Sequence, residues 1–225
     1  MSFKQPRSIL EGIYSFSPNR ATLGGTSYLI VKKDQTGNPA NLLIDAPANT
    51  PEVLQFIAEH GGVRQWVITH RDASGEAKSL QAALQCDVVI QEQEAYLVPE
   101  VANVIAYRDS YSLGSDCEVF WTSGYSPGSA CVYWAQQGGV LFTGRHLLPD
   151  RDGQLQPLRF AKTFHWPRQL RNVEKLQARF SQKTLAYGCP AANTGFLRGQ
   201  SIAKDAYAQL AAIDVEAIKG AIALL

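Results

Sequence analysis

Histidines, cysteines and carboxylates near predicted strand ends are the residues of this 225-residue chain best suited to chemistry. His70 is followed at short spacing by Asp72 and Glu76, and an imidazole with nearby carboxylates can act as a general base or bind a metal. Cys189 can ligate zinc or attack an ester once its thiol is deprotonated. The chain has only four histidines, which limits any metal site built mainly from imidazoles.

Each of these residues belongs to a junction between a predicted strand and the loop after it. Function in layered α/β proteins collects in loops beyond strand ends. The four junctions are Val67–Glu76, Thr122–Ala130, Leu141–Leu148 and Leu185–Pro190. The residues expected to bind a ligand there are His70, Asp72, Glu76, Tyr125, Arg145 and Cys189.

Short apolar runs alternate with helical patterns along the whole chain. The predicted strands are 12–16, 26–32, 41–45, 65–70, 87–91, 117–122, 130–135, 139–143 and 184–187. Thr50 and Ser74 are predicted to cap two helices, and Pro167 to open a third. Ile202, Ala206 and Leu210 recur at four-residue steps, which predicts a C-terminal helix. This order indicates an α/β protein with sheets inside and helices outside, in a single domain over residues 1–225.

The four junctions, taken in order, resemble those of the metallo-β-lactamase-fold hydrolases. In that family they read T-H-x-H-x-D-H, P-G-H-T-x-G-S, L-F-x-G-D and P-G-H-G, and Asn41–Asp45 resembles an earlier strand that ends in aspartate. The resemblance covers roughly residues 12 to 200. It implies a four-layer αββα sandwich. It also implies two divalent metals, held by about five histidines and two aspartates, that activate a water molecule.

This chain departs from the family pattern at most of the implied ligand positions. His70 matches the first histidine, and Asp72 stands where the second belongs. The remaining positions hold Ser74, Gly75, Tyr125, Arg145 and Cys189. Arg145 replaces the aspartate that bridges the metals, and a guanidinium stays protonated and cannot ligate a metal.

Two functional hypotheses follow from these departures. In the first, the protein has lost both metals, needs no cofactor, and binds a small molecule or a protein at the former cleft. Arg145 would then fill the vacated site and pair with Asp72 or Glu76. The alternative is a divergent hydrolase of esters or thioesters. It would use one zinc or iron ion on His70, Asp72 and Cys189, or Cys189 alone as nucleophile.

Structural roles are also open to the same residues. His70 is expected to be hydrogen-bonded at a strand end, the carboxylates to pair with Arg71 or Arg145, and Cys189 to be a small buried thiol. His146 should point away from Arg145, either towards the surface or behind the residues that line the site, because side chains alternate along an extended strand.

Other polar residues have simpler expected roles. His60 and His165 are expected to cap or pack against helices. Arg168, Arg171, Lys175 and Arg179 form a basic stripe on one helix face, suited to solvent or to an anionic partner.

Composition narrows the functional classes further. A net charge of +1 argues against binding to nucleic acid or to a membrane surface. No targeting signal or membrane-spanning run is visible. The four widely spaced cysteines contain no C-x-x-C motif, which favours reduced thiols and a cytoplasmic location. The sequence leaves the ligand and the oligomeric state open.

Overall fold

The computed structural model describes residues 4–224, and the chain divides into two compact units at Arg108 and Asp109. Each unit contains one large β-sheet together with helices. This composition confirms the predicted α/β class. The single-domain organisation stays a prediction.

The first unit contains a seven-stranded sheet whose strands follow one another in chain order. The strands are β1 (Arg7–Leu10), β2 (Ile13–Ser15), β3 (Tyr28–Ile30), β4 (Leu42–Ile44), β5 (Gln65–Ile68), β6 (Asp87–Gln91) and β7 (Val104–Tyr107). Pairing is antiparallel from β1 to β4 and parallel from β4 to β7. Parallel neighbours end at the same sheet edge, so the residues after β4 and β5 meet there.

Two α-helices and three short 3₁₀ segments complete the first unit. The α-helices are α1 (Pro51–Glu59) and α2 (Ala77–Leu84), and the 3₁₀ segments are Arg20–Thr22, Arg71–Ala73 and Glu92–Leu97. Val53, Ile57 and Leu80 from the helices pack in one core cluster with Leu43 and Trp66 of the sheet. The apolar spacing of both helices therefore places their buried faces as predicted.

The start of α1 is confirmed in detail. Thr50 has extended backbone angles, its side chain accepts a hydrogen bond from the Val53 amide at 3.4 Å, and Pro51 takes the first helical position. Gly61 and Gly62 follow the helix end with φ of +95° and +74°. Left-handed backbone is accessible to glycine without a Cβ penalty, so this pair ends the helix.

Replacing Thr50 with alanine is expected to lower the free energy of unfolding by about 1 kcal/mol, because an amide of the first turn loses its acceptor. Urea unfolding followed by circular dichroism measures this loss. Thr50→Ser keeps the hydroxyl and should stay close to the wild type. Equal losses in the two variants would contradict the capping role.

The predicted cap of α2 is wrong. The helix begins at Ala77 after Glu76, whereas Ser74 ends the preceding 3₁₀ segment. Gly75 separates the two with φ of +52°, and a Cβ there would lie 2.9 Å from the Ala46 side chain. The chain therefore turns sharply after Ser74, and its hydroxyl does not cap α2.

The second unit contains a six-stranded sheet and a separate strand pair. Its strands are β8 (Ser110–Ser112), β9 (Cys117–Trp121), β10 (Ala130–Trp134), β11 (Val140–Gly144), β12 (Leu148–Pro149), β13 (Leu155–Gln156), β14 (Tyr187–Pro190) and β15 (Ala203–Lys204). The large sheet has the order β15-β14-β11-β10-β9-β8, and β12 pairs with β13. The strand predicted at 184–187 begins only at Tyr187, because Thr184 belongs to a turn bonded to Ser181.

The helices of the second unit are α3 (Trp166–Arg179), α4 (Ala206–Ala211) and α5 (Val215–Ile218), with a 3₁₀ segment at Thr194–Leu197. Leu170, Val173 and Leu176 of α3 lie in the core, as their spacing predicts. The C-terminal helix is shorter than predicted, because the left-handed backbone of Asp205 leaves Ile202 outside α4. No helix within residues 4–224 combines the length and the apolar character needed to cross a membrane.

Candidate functional site

The predicted site residues are divided between the two units. His70, Asp72 and Glu76 belong to the first unit, and Tyr125, Arg145 and Cys189 to the second. Their surroundings within each unit decide what chemistry each can support.

His70 lies directly after β5 and is almost wholly buried in a polar network. Its Nδ1 is 2.9 Å from the hydroxyl oxygen of Thr69 and 3.9 Å from Oδ2 of Asp45. Asp45 follows β4, and its Oδ1 accepts hydrogen bonds from the Thr69 amide at 2.9 Å and hydroxyl at 2.8 Å. The parallel pairing of β4 with β5 brings these residues together. His70 thus takes the hydrogen-bonded position at a strand end that its sequence context indicates.

The two predicted carboxylates occupy less enclosed positions. Asp72 is partly exposed in the 3₁₀ segment after His70, and Glu76 is exposed and accepts a 3.4 Å hydrogen bond from Asn49. A different carboxylate, Glu94, is buried with its Oε1 3.7 Å from Nε of Arg71. The predicted pairing of Arg145 with Asp72 or Glu76 would join the two units and stays a prediction.

Arg145 and Tyr125 form the central contact of the second unit's site. Arg145 is only 8% exposed, and its guanidinium donates a 3.0 Å hydrogen bond to the hydroxyl of the buried Tyr125. Its Cζ also lies 5.6 Å from the centre of the Tyr125 ring, within reach of a cation–π interaction. Phe160 packs edge-to-face on the same ring at 6.4 Å. Tyr125 is therefore held by packing and directs its hydroxyl at a permanent cation.

His146 is fully buried, which corrects the expectation that it could lie at the surface. Strand β11 ends at Gly144, whose φ of +54° turns the chain, so strand alternation does not extend to His146. Neither ring nitrogen has a hydrogen-bond partner of normal geometry within residues 4–224. Burial lowers the pKa of His146 to about 4, although the Thr122 backbone opposes this shift. The side chain is therefore neutral at pH 7.

Cys189 lies on β14 and is completely buried. Burial alone raises the pKa of its thiol far above the ordinary value, because a thiolate is poorly solvated there. Burial also raises the pKa of Cys131 to about 12 and that of Cys86 to about 11. A protonated, enclosed Cys189 is a poor nucleophile, and its surroundings are those of a structural thiol.

Native protein at pH 8 is expected to show no fast-reacting thiol, because all four cysteines are buried. Ellman's reagent measures this directly, and unfolding in urea should release all four thiols. A Cys189→Ala variant should behave the same in the native state and release one thiol fewer on unfolding. A native thiol that reacts within seconds and is absent from Cys189→Ala would support the cysteine-dependent hydrolase instead.

The loop of residues 122–129 is fixed against the start of α3. The amides of Phe164 and His165 donate to the carbonyl oxygens of Tyr125 and Gly124 at 3.0 and 2.9 Å. From within α3, Asn172 donates to the Ser123 carbonyl at 2.7 Å. The buried amide of Gln169 donates to the His146 carbonyl at 2.9 Å.

Sequence reasoning assigned no role to Gln169 and Asn172. Their signal is polarity at positions that fall on the apolar side of α3, where a buried amide needs a specific partner.

The remaining histidines pack and cap, as expected. Nδ1 of His165 accepts a 3.1 Å hydrogen bond from the Arg168 amide at the start of α3. Nδ1 of His60 lies 2.8 Å from the Phe56 carbonyl oxygen, and its ring centre is 4.2 Å from that of Phe56. Both side chains are thus engaged in local structure.

Within the second unit, the residues at the implied ligand positions do not fit a divalent metal. Arg145 cannot ligate, the Tyr125 hydroxyl accepts a hydrogen bond from it, and Cys189 is completely enclosed. Within residues 4–224, no three histidine, cysteine, aspartate or glutamate side chains come together in a group that could hold a metal ion.

Comparisons with known proteins identify the fold. No family profile and no curated protein sequence matches the chain. Among solved structures, the metallo-β-lactamase DIM-1 aligns with a TM-score of 0.69 at 15% identity, over 96% of this chain and 98% of its own. TMB-1 aligns with a TM-score of 0.67 at 12% identity, over 96% of this chain and 99% of its own. A metallo-β-lactamase family protein from Thermus thermophilus aligns with a TM-score of 0.63 at 18% identity, over 95% of this chain and 80% of its own.

Proposed function

We propose that this chain, which has the metallo-β-lactamase fold, is a binding protein that works without the metal site and hydrolytic chemistry implied by its resemblance to that family. The observation that carries this proposal is the buried Arg145 guanidinium bonded to Tyr125 at 3.0 Å. Both residues stand where the resemblance implies metal ligands. The ligand would occupy this region of the second unit, with Arg145 and Tyr125 as hydrogen-bonding groups.

Electrostatics supports the loss of metal. A divalent ion about 4 Å from a guanidinium is opposed by about 8 kcal/mol at an effective dielectric constant of about 20. The donors that remain in the second unit offer little to offset this repulsion, since Cys189 is completely enclosed. The same features weigh against the alternative hydrolase that uses Cys189.

A rigid binding site is a second consequence of these contacts. Tyr125 is fixed by Phe160 and Arg145, and its loop is bonded to the start of α3. Such groups lose little conformational entropy when a ligand binds, which favours affinity. We also propose a small-molecule ligand and a cytoplasmic location, the latter supported by four buried cysteines that are all free.

Elemental analysis of untagged protein, purified without chelators, tests the proposal. We expect far less than one equivalent of zinc or iron, together with no turnover of ester and thioester substrates. His70→Ala, compared with the exposed His165→Ala, serves as the matched pair. Stoichiometric metal that disappears in His70→Ala but not in His165→Ala would overturn the proposal in favour of the mononuclear hydrolase.

A further inference from the structure

Arg168 of α3 lies close to two aromatic rings. Its Cζ is 5.9 Å from the centre of the Trp121 ring and 5.8 Å from that of Phe164. The side chain is half-buried, and Nη1 makes a long 3.5 Å hydrogen bond to the Ser123 hydroxyl. Contact with two ring faces restricts the guanidinium, and the bond to Ser123 is its one side-chain hydrogen bond within residues 4–224.

No carboxylate within residues 4–224 forms an ion pair with Arg168. The first turn of α3 contains no acidic residue, although acidic side chains are favoured at helix N-termini. Arg179, at the other end of the basic stripe, is paired with Glu118 and lies 4.2 Å over the Phe120 ring. The two ends of the stripe therefore differ. Arg179 is neutralised by a carboxylate, whereas Arg168 is held in place by aromatic rings and has no such partner within residues 4–224.

Arg168 belongs to the same framework as the Tyr125–Arg145 contact. The loop of residues 122–129 contacts Arg168 through Ser123 and Arg145 through Tyr125. A further cation, Lys162, lies with its Nζ 5.8 Å from the centre of the Tyr125 ring. Three positive groups are thus arranged along one short, rigid loop of a protein whose net charge is only +1.

We propose that Arg168 is an anion subsite that receives a carboxylate or phosphate group of the ligand bound by Tyr125 and Arg145. This inference rests on the proposed binding function and adds the chemical class of the ligand. Oxyanions match the fork of donors on a guanidinium, and charge-assisted hydrogen bonds of this kind are stronger than neutral ones. The flanking rings of Trp121 and Phe164 offer apolar faces to the carbon skeleton next to the anionic group.

Titration with inorganic phosphate and, separately, with acetate tests the subsite and distinguishes the two oxyanions. Trp121 reports binding by fluorescence, because it is partly exposed while Trp66, Trp134 and Trp166 are buried. The signal should be lost in Trp121→Phe. Arg168→Gln should weaken binding of the preferred anion by about tenfold or more. The matched control is Arg171→Gln, an exposed arginine one turn further along α3, which should change the affinity by less than about twofold.

Several outcomes would overturn the subsite. These are the absence of binding for both anions, and equal weakening by Arg168→Gln and Arg171→Gln. Should Arg168→Gln fail to fold, Arg168→Lys and the exposed Phe164→Ala replace it, and unchanged affinity in both would also reject the proposal. Phosphate binding that vanishes with EDTA and returns with zinc would instead reject the metal-free function. Binding that survives EDTA but ignores Arg168 would reject only the subsite.

Discussion

Lowering the pH from 7 to 5 is expected to reduce the free energy of unfolding by about 2 kcal/mol through His146 alone, and by about 3 kcal/mol at pH 4. The pKa of His146 is about 4 in the folded protein, below the ordinary histidine value of 6.5. The unfolded chain therefore takes up more protons across this interval. The stabilisation is fully present above pH 6.5 and is lost as the pH falls towards 4.

Urea unfolding at pH 7, 6 and 5 measures this loss, and a variant without the His146 imidazole isolates it. His146→Leu removes two buried nitrogen atoms that have no hydrogen-bond partner of normal geometry within residues 4–224, and it should flatten the pH dependence between 7 and 5. The polar groups identified around His146, from Thr122, Thr143 and Gln169, do not titrate in this range. The exposed His165→Leu should keep the wild-type slope. Identical slopes for all three proteins would contradict the buried, neutral state of His146.

Gly124→Ala is expected to lower the free energy of unfolding by about 3 kcal/mol. A Cβ at this position would lie 2.4 Å from Cα and Cβ of Gln169 and 2.7 Å from its backbone nitrogen. These atoms belong to α3, so relief requires the helix and the loop of residues 122–129 to separate. That separation would also break the contact between Ser123 and Arg168, and phosphate binding should weaken in the same variant.

Gly195→Ala is the matched control in the same unit, because no atom lies within 4 Å of the added Cβ. Its free energy of unfolding should remain within about 0.5 kcal/mol of the wild type. Urea unfolding of the three proteins under one condition provides the comparison. Equal stability of Gly124→Ala and Gly195→Ala would show that the loop does not depend on close approach to α3.

The sequence predicted the buried elements well and the edges poorly. Strands such as β5, β6 and β10 are rich in apolar residues, and their locations are confirmed. Strands β1 and β8 were not predicted because they lie at sheet edges and contain many exposed residues, which weakens the apolar pattern. The edge strand β7 was not predicted either, although its sequence, Val-Ile-Ala-Tyr, is apolar throughout. Whether such a segment forms a strand depends on its pairing with a neighbouring strand and on the register of that pairing, and neither can be read from the local sequence.

The positions of candidate site residues could be predicted where a sequence motif places them relative to the end of a strand. His70, Tyr125, Arg145 and Cys189 all lie at or just beyond strand ends, as expected from the junctions. Burial excludes only the surface alternative expected for His146, because β11 ends at Gly144 with a left-handed backbone and the expected extended run does not continue to His146. The contact of Arg168 with the rings of Trp121 and Phe164 depends on tertiary packing of α3, and the basic stripe alone gives no sign of it.

Soaking crystals in zinc and recording anomalous scattering at the zinc edge tests the metal-free account most directly. The account predicts that Arg145 remains bonded to Tyr125 and that no anomalous peak lies within coordination distance of His70, Asp72, Tyr125 or Cys189. Zinc bound at full occupancy by any of these side chains, with Arg145 displaced from Tyr125, would contradict it.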